Sequence, residues 1–439
     1  MNTSRSVAVN TLVQFISKSI TVLFTLITTN LLTGYLGRDG YGRYMYVLTV
    51  VVLFGALADW GSSTIGVREA SKSDQPGRHF ANIIFLRLLL SLAAVVVLVV
   101  FSFYVSSGFA QLEFVQNSVV WAALILFAVA NKASFGIIFQ TRLEMYKLAV
   151  ADVTSGFLTL ALTWLLIHDR AHINLFFIAL AATSLIAAII ALVFALRSVR
   201  LSFRLDRPFL ARLIKESLPM GAILILLTVD NKIDTLMLGS LANNQAVGVY
   251  ALSYRVYDVA ILGAAYFMAS LFPTLSRLVS TDSGLEKLKT IYQRSFDLLL
   301  MLGLAALFSI LIFAPFAIRL LSGQRYFEFS DSVSVLRLLS IAMFFSYYNH
   351  LAGYTIVGIG RQRSYFFVAL AALAFNFFTN LIIIPRFSYF GAAFVTIANE
   401  ILVAFLTTYL IFRWTKIVPS FSRFPRTALD FIKSGGRIF

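Results

Sequence analysis

Residues 88–112 read LLLSLAAVVVLVVFSFYVSSGFAQL, twenty-five positions without an Asp, Glu, Lys or Arg. A hydrocarbon core of ~30 Å is crossed by about 20 apolar residues of α-helix, so this stretch reads as a membrane span. The run is continuously apolar, whereas a barrel strand would alternate every second residue, which selects helix over strand. Stretches 171–196, 298–318 and 364–385 lack the same four residue types.

Working outward, the remaining apolar stretches carry one to three charges each. Twelve helices are predicted, over 11–35, 44–66, 81–105, 116–140, 148–168, 173–197, 216–240, 247–273, 294–321, 333–357, 364–385 and 389–413. Composition agrees: 59% of the 439 residues are apolar and 13% charged, against a soluble norm of roughly 45–50% and 25%. So little polar surface excludes a soluble enzyme and a disordered chain. The absence of cysteine excludes disulfides, thiolate metal sites and a cysteine nucleophile. The fold class expected is an all-α integral membrane protein.

The net charge of +16 sits in the loops, which points to a membrane surface and away from nucleic acid. One set of loops, counting both termini, holds twenty-four bases, among them Arg68, Arg78, Arg142, Lys147, six from Arg197 to Lys215 and six from Arg413 to Arg437. The opposite set holds six: Arg38, Arg43, Arg170, Arg319, Arg325 and Arg386. The positive-inside rule then places both termini in the cytoplasm, in a multi-pass protein of the plasma (inner) membrane. A missed helix would scramble this alternation.

The chain repeats itself. Residues 31–44, LLTGYLGRDGYGRY, align with residues 236–250, LMLGSLANNQAVGVY, with one insertion: Gly34 on Gly239, Leu36 on Leu241, Gly42 on Gly248, Tyr44 on Tyr250. Arg142 and Tyr146 match Arg361 and Tyr365 in the same way. Six helices and six in the same orientation imply a parallel repeat. The expected organisation is a six-helix lobe over 1–197, a basic cytoplasmic linker over 198–215, a second lobe over 216–413 and a basic tail over 414–439. The linker sets Leu201, Phe203, Phe209, Leu213 and Ile214 among six bases, the pattern of a membrane-surface segment held by anionic lipid or of an ordinary basic loop. Segments 276–293 and 417–433 have the same character.

Twelve charges lie four or more residues inside the predicted spans: Lys18, Arg87, Lys132, Lys232, Arg255, Arg337, Asp59, Asp152, Asp230, Asp234, Asp258 and Glu400. Each costs roughly 2.5–3.5 kcal/mol at a helix centre, on the order of 30–40 kcal/mol together if all faced lipid. They must instead face a wet cavity or each other. Arg87 and Arg337 lie a turn inside helix ends and can snorkel; Asp59 can pair with Arg87, and Asp152 with Lys132. Arg255 and Asp258 are three apart on one helix face. Lys18 has no acid on its own helix to neutralise it, which makes it the foremost ligand-facing base. Asp230 and Asp234 share a face, where like charges repel, and such a pair keeps a proton on one member or binds a cation. Asn131, Asn349, His350, Asn376 and Asn380 add hydrogen-bonding capacity, mostly helix to helix. His168 and His172 lack the glutamate of a zinc motif, and no nucleotide-binding motif is present, so any transport is not driven by this chain hydrolysing nucleotide, and no enzyme activity or cofactor is expected.

The run LVQFISKSITVLFTLITTNLLTGYLGRDGYGRY followed by LADWGSSTIGVREASK, with IDTLMLGSLANNQAVGVYALSYRV and IIIPRFSYFGAAFVTIANE in the second half, resembles the polysaccharide-transport branch of the multidrug/oligosaccharidyl-lipid/polysaccharide exporter superfamily. The resemblance spans residues 5–415. It implies two six-helix lobes around a central cavity that opens alternately to each side, and a lipid-linked oligosaccharide as cargo, carried on undecaprenyl pyrophosphate in bacteria or on dolichol in some archaea. Related flippases carry essential bases on their first and eighth helices, where Lys18 and Arg255 stand here. A base they carry on the second helix has no mid-membrane counterpart, since Arg43 lies at the outer end.

On this reading Lys18, Lys132, Lys232 and Arg255 bind the anionic head group. Asp230, Asp234, Asp258 and Glu400 serve a coupling ion, proton or sodium. Partners are membrane lipids and a glycan polymerase or ligase, with no nucleic acid, and the protein acts as a monomer. The alternative within the superfamily is a cation-coupled multidrug exporter that uses the acids to recognise cationic drugs; six bases against six acids do not favour it. A membrane-embedded polysaccharide polymerase is a third reading, disfavoured because the longest outer loop has about a dozen residues.

Overall fold

The computed structural model describes residues 3–71, 76–106, 113–202, 204–278 and 284–420, together with 424. All regular structure among them is helical. The helices are α1 (Thr3–Asp59), α2 (Ser62–Ser71), α3 (Pro76–Ser106), α4 (Glu113–Thr141), α5 (Tyr146–His168), α6 (Ile173–Ser198), α7 (Arg207–Leu241), α8 (Asn244–Leu278), α9 (Gly284–Ser322), α10 (Asp331–Gly358) and α11 (Gln362–Thr415), with a 3₁₀ segment over Gly323–Phe329 between α9 and α10. Two of them are each a pair of spans joined at a break. In α1 the break is Gly37, whose φ of 66° and ψ of −172° leave the helical region; in α11 it is Ser388, with φ 50° and ψ −135°, three residues after Pro385. Divided there, the described residues hold twelve membrane-length helices, in the order the apolar runs predict. The second predicted helix ends early: Trp60 and Gly61 both take positive φ, and α2 starts a new direction.

Eight helices among the described residues are long and apolar enough to cross a membrane, counting the paired spans of α1 and α11 once each. The two long helices outside that set are α7, which carries Asp230, Lys232 and Asp234, and α10, which carries Ser346, Tyr347, Tyr348, Asn349 and His350. Such helices are stable in a membrane where protein or water covers their polar face.

The described chain packs as two compact units, residues 1–248 with 320–326, and residues 249–319 with 327–439. This packing boundary falls after Gly248, beyond the end of the 198–215 linker. The physical reason is that α7 packs with the first unit. Tyr46 of α1 lies over Gly239, where an added Cβ would come within 2.5 Å of the ring, and Tyr46 Oη is 3.5 Å from Ser240 Oγ. Gly61 and Gly221 meet backbone to backbone. The glycines that the sequence repeat aligns, Gly42 and Gly248, also pack on one another: a Cβ on Gly42 would lie 3.0 Å from Gly248 N, and one on Gly248 would lie 3.3 Å from Gly42 N. Gly42→Ala would place its methyl 1.8 Å from the Asn244 carbonyl oxygen. Backbone cannot yield as a side chain can, so this variant is expected to lose about 3 kcal/mol or more, read as a lower unfolding temperature in detergent.

Part of the 198–215 segment packs into the core of the first unit. Asp206 caps α7, accepting from Phe209 N–H at 3.1 Å, and Pro208 supplies the preset φ of a helix start. Phe209 and Leu213 are buried in a core with Ile65, Phe80, Ile83 and Phe139, and Leu201 packs against it. Their apolar surface is therefore spent on protein, not on a lipid surface; Ile214 alone of the four described is exposed, and Phe203 lies outside the described residues. In the second unit, α10 packs along α11, and Tyr250 Oη meets Thr396 Oγ1 at 3.0 Å.

Candidate functional site

Lys18 is exposed on the first limb of α1 and makes no ion pair with a described residue. Around it runs a hydroxyl track. Ser17, Thr21, Thr25, Thr29 and Thr33 follow at intervals of four, and each threonine donates to the carbonyl one turn back, at 2.8, 2.8, 2.8 and 2.9 Å. Intervals of three, seven and eleven from Lys18 put Thr21, Thr25 and Thr29 on its face of the helix. The back-bonded hydroxyls satisfy their protons locally and keep lone pairs that can accept from a ligand. The track is open to Thr25 and buried from Thr29 onward. At its far end the 320–326 segment covers it, with Thr33 Oγ1 2.6 Å from Leu321 O and Asn30 donating to Leu320 O at 2.6 Å. The four-residue period of Ser and Thr is itself readable in the sequence.

Other charges of the first unit are already engaged. Arg87 is 2% exposed, so it does not snorkel: its guanidinium bonds Asp59, donates to Ser62 and Ser63 at 2.9 and 2.8 Å, and donates from Nε to Ser134 at 2.7 Å. The acid it needs stands one helix away, as the sequence allowed. Lys132 bonds Asp152, which offsets the charge that a head group would require of it. On α7, Asp230 and Lys232 are half-buried and Asp234 is 1% exposed.

In the second unit, Arg255 and Asp258 are half-buried on α8. Glu400, on α11, accepts from Asn349 Nδ2 of α10 and from Tyr257 Oη of α8, the latter at 3.4 Å, while Asn349 also donates to the Glu400 carbonyl at 2.9 Å. The Asn349 Oδ1 atom is buried with no hydrogen-bond partner among the described residues. Three helices thus converge on one carboxylate with a spare amide oxygen beside it. Tyr257 was not foreseen, because nothing local in the sequence marks which tyrosine faces the core. The other polar residues divide between two patterns. Asn131 bonds helix to helix, to Ser91 at 3.2 Å, whereas His350 bonds Ser346 O on its own helix at 2.8 Å and Asn380 bonds Asn376 on its own. Arg337 is exposed and donates to Leu311 O at 3.1 Å. The structure joins Lys132 with Asp152 and gathers partners on Glu400; Lys18, Lys232, Asp230 and Asp234 belong to the first unit, and Arg255, Asp258 and Glu400 to the second.

Comparison with known proteins places this geometry in context. Residues 7–279 match the family described as "Polysaccharide biosynthesis protein". A stretch of 191 residues is 26% identical to a probable flippase, AglR, of Haloferax volcanii, spanning 43% of this chain and 40% of that relative. Among solved structures, the lipid II flippase MurJ in an inward closed conformation superposes with a TM-score of 0.75 at 13% identity, covering 97% of this chain and 91% of that one. An inward-facing multidrug resistance MATE transporter does so with a TM-score of 0.69 at 17% identity, covering 93% and 96%. A transporter of the same superfamily from Pyrococcus furiosus, whose description emphasises a binding pocket of reversed polarity, reaches 0.65 at 17% identity, over 94% and 96%. The fold is therefore the one these membrane transporters share.

Proposed function

Because the chain belongs to the polysaccharide biosynthesis protein family, we propose that it is a flippase that carries a polyprenyl-(pyro)phosphate-linked oligosaccharide from the cytoplasmic to the outer leaflet by alternating access, coupled to an ion gradient or to the membrane potential. The observation that carries this reading is Lys18: an exposed base on a membrane-length helix, with no ion-pair partner among the described residues and a hydroxyl track beside it. A phosphate head group needs cations, and sugars need hydrogen-bond partners. Lys232 in the first unit and Arg255 in the second are further candidate bases for an anionic cargo, each within its own unit; Lys132, bonded to Asp152, contributes least. The loop charges support termini in the cytoplasm of a plasma-membrane protein, acting as a monomer that hands cargo to a glycan polymerase or ligase. The similarity of the AglR relative, itself described as a probable flippase, supports the same assignment.

Coupling falls to the acids. The Glu400 carboxylate, with Asn349 Oδ1 beside it, can offer oxygen ligands to sodium or exchange a proton. Asp230 and Asp234 share a face of α7, and Asp258 lies on α8. The double variant Asp230→Asn with Asp234→Asn is expected to flatten the dependence of transport on the proton or sodium gradient; an unchanged dependence would assign both acids to structure. The direct test is the lipid-linked oligosaccharide pool of a deletion strain, its sidedness read with an impermeant sugar-modifying reagent. Precursor trapped on the cytoplasmic leaflet supports flipping. A normal pool with normal sidedness, in a strain without a redundant flippase, sinks it and turns attention to drug exchange.

A further inference from the structure

Within the second unit, α9, α10 and the second limb of α11 leave a cavity of about 250 Å³, walled by Leu299, Leu300, Phe344, Phe345 and Ala404 among others. The polar atoms of its wall are engaged with each other. Tyr348 Oη lies 3.1 Å from Tyr292 Oη and 2.6 Å from Thr408 Oγ1, and Thr408 Oγ1 is 2.6 Å from Ala404 O. What remains to face the cavity is hydrocarbon. An apolar cavity of even ~150 Å³ stays dry and takes up benzene, so the matching ligand is itself hydrocarbon.

The remaining wall is a strap. After α11 ends at Thr415, Lys416 turns the chain in the left-handed region with φ 56°. Ile417 is buried, and Val418 and Pro419 close over the cavity. Gln293 of α9 then pins the strap at two points: Ser420 N–H donates to Gln293 Oε1 at 2.8 Å, and Gln293 Nε2 donates to Ser420 O at 3.0 Å while also donating to Asp297 at 2.9 Å. Exposed Lys416 begins the strap, exposed Arg413 stands three residues before it on α11, and exposed Arg294 follows Gln293 directly. From residue 413 to residue 437 the chain carries six bases and a single acid, Asp430.

We propose that this cavity holds one acyl chain of an anionic phospholipid as a resident ligand, with its phosphate on Arg413 and Lys416 and the 416–420 strap as its latch. One chain matches the volume, and an anionic head group matches the bases at the strap. A transported lipid would have to leave for the other leaflet in each cycle, which a doubly pinned strap opposes, so the cargo is not the occupant. The inference rests on the cavity, the strap and the charges alone, and holds whatever the chain transports.

The test is native mass spectrometry of the full chain after prolonged detergent exchange. Wild type is expected to retain one phospholipid, and to select phosphatidylglycerol over phosphatidylcholine when both are offered. Ala404→Phe fills the cavity and should cut retention roughly tenfold or more, whereas Arg413→Gln with Lys416→Gln should keep binding but abolish the preference for the anionic lipid. Unfolding temperature shows whether Ala404→Phe folds. If it does not, dioctanoyl phosphatidylglycerol titrated onto wild type decides: a saturable rise in unfolding temperature, absent with glycerol phosphate, supports the site, and no rise overturns it. Wild type without a one-to-one lipid, unchanged retention by folded Ala404→Phe, or a retained polyprenyl phosphate in place of phospholipid each overturn the proposal.

Discussion

Cells in which Lys18→Ala replaces the wild-type chain are expected to lose surface glycan while keeping wild-type amounts of the protein in the membrane. The two halves of that result have separate causes. Lys18 is exposed and ion-paired to no described residue, so truncation removes no packing and should change stability by less than about 0.5 kcal/mol. In the proposed complex, with water displaced, the ammonium would face phosphate in a medium of lower dielectric. Removing one partner of such a pair costs about 2–5 kcal/mol, or roughly thirty- to several-thousand-fold in affinity. Lys18→Arg keeps the charge and should restore part of the activity, less than wild type because a planar fork replaces a point charge. Export is read by surface glycan and by the sidedness of the precursor pool, protein amount by immunoblot. Normal glycan in Lys18→Ala would remove this residue from the head-group site.

Arg87→Ala is expected to act the opposite way, through stability. The guanidinium is 2% exposed and satisfies Asp59, Ser62, Ser63 and Ser134. Truncation removes the donor of three hydroxyls and the cation beside Asp59, which keeps its hydrogen bond from Ser63. Breaking a buried pair from one side costs about 3–5 kcal/mol; because the Asp59 side chain is 30% exposed and can regain some water, about 3 kcal/mol is the expected loss. Arg87→Ala with Asp59→Ala should recover part of it, since no charge is then left unpaired. Thermal unfolding of both variants in detergent, beside wild type, measures this. A loss below about 1 kcal/mol for the single variant would mean that water, not Arg87, satisfies Asp59.

The contrast between these residues shows why depth in a span was a poor guide to role. Both are bases inside predicted helices. Lys18 has no acid near it in sequence, and the structure leaves it exposed. Arg87 lies near a helix end, a position that suggests snorkelling, yet α3, α4 and the end of α1 enclose it. Lys132 and Asp152, twenty residues apart, do pair, because α4 and α5 are antiparallel neighbours joined by a short turn. Such nearby pairings can be counted along the chain. The three-helix arrangement on Glu400 cannot, because Tyr257 and Asn349 reach it from helices far away in sequence.

What the sequence determined by itself are the features that depend on short-range properties. Twelve spans follow from runs of about 20 apolar residues, and the breaks at Gly37 and near Pro385 follow from residues that release or interrupt a helix. The pairing of Gly42 with Gly248 was visible as a repeat, though not that the two would touch. Tertiary structure alone decided the burial of Arg87, the attachment of α7 to the first unit, the use of Phe209 and Leu213 as core and the cavity behind the 416–420 strap. Each of these depends on which faces of distant helices meet, and in a membrane nearly every face is apolar. Hydrophobic pattern therefore locates helices across the bilayer but carries little information about which side of a helix finds protein and which finds lipid.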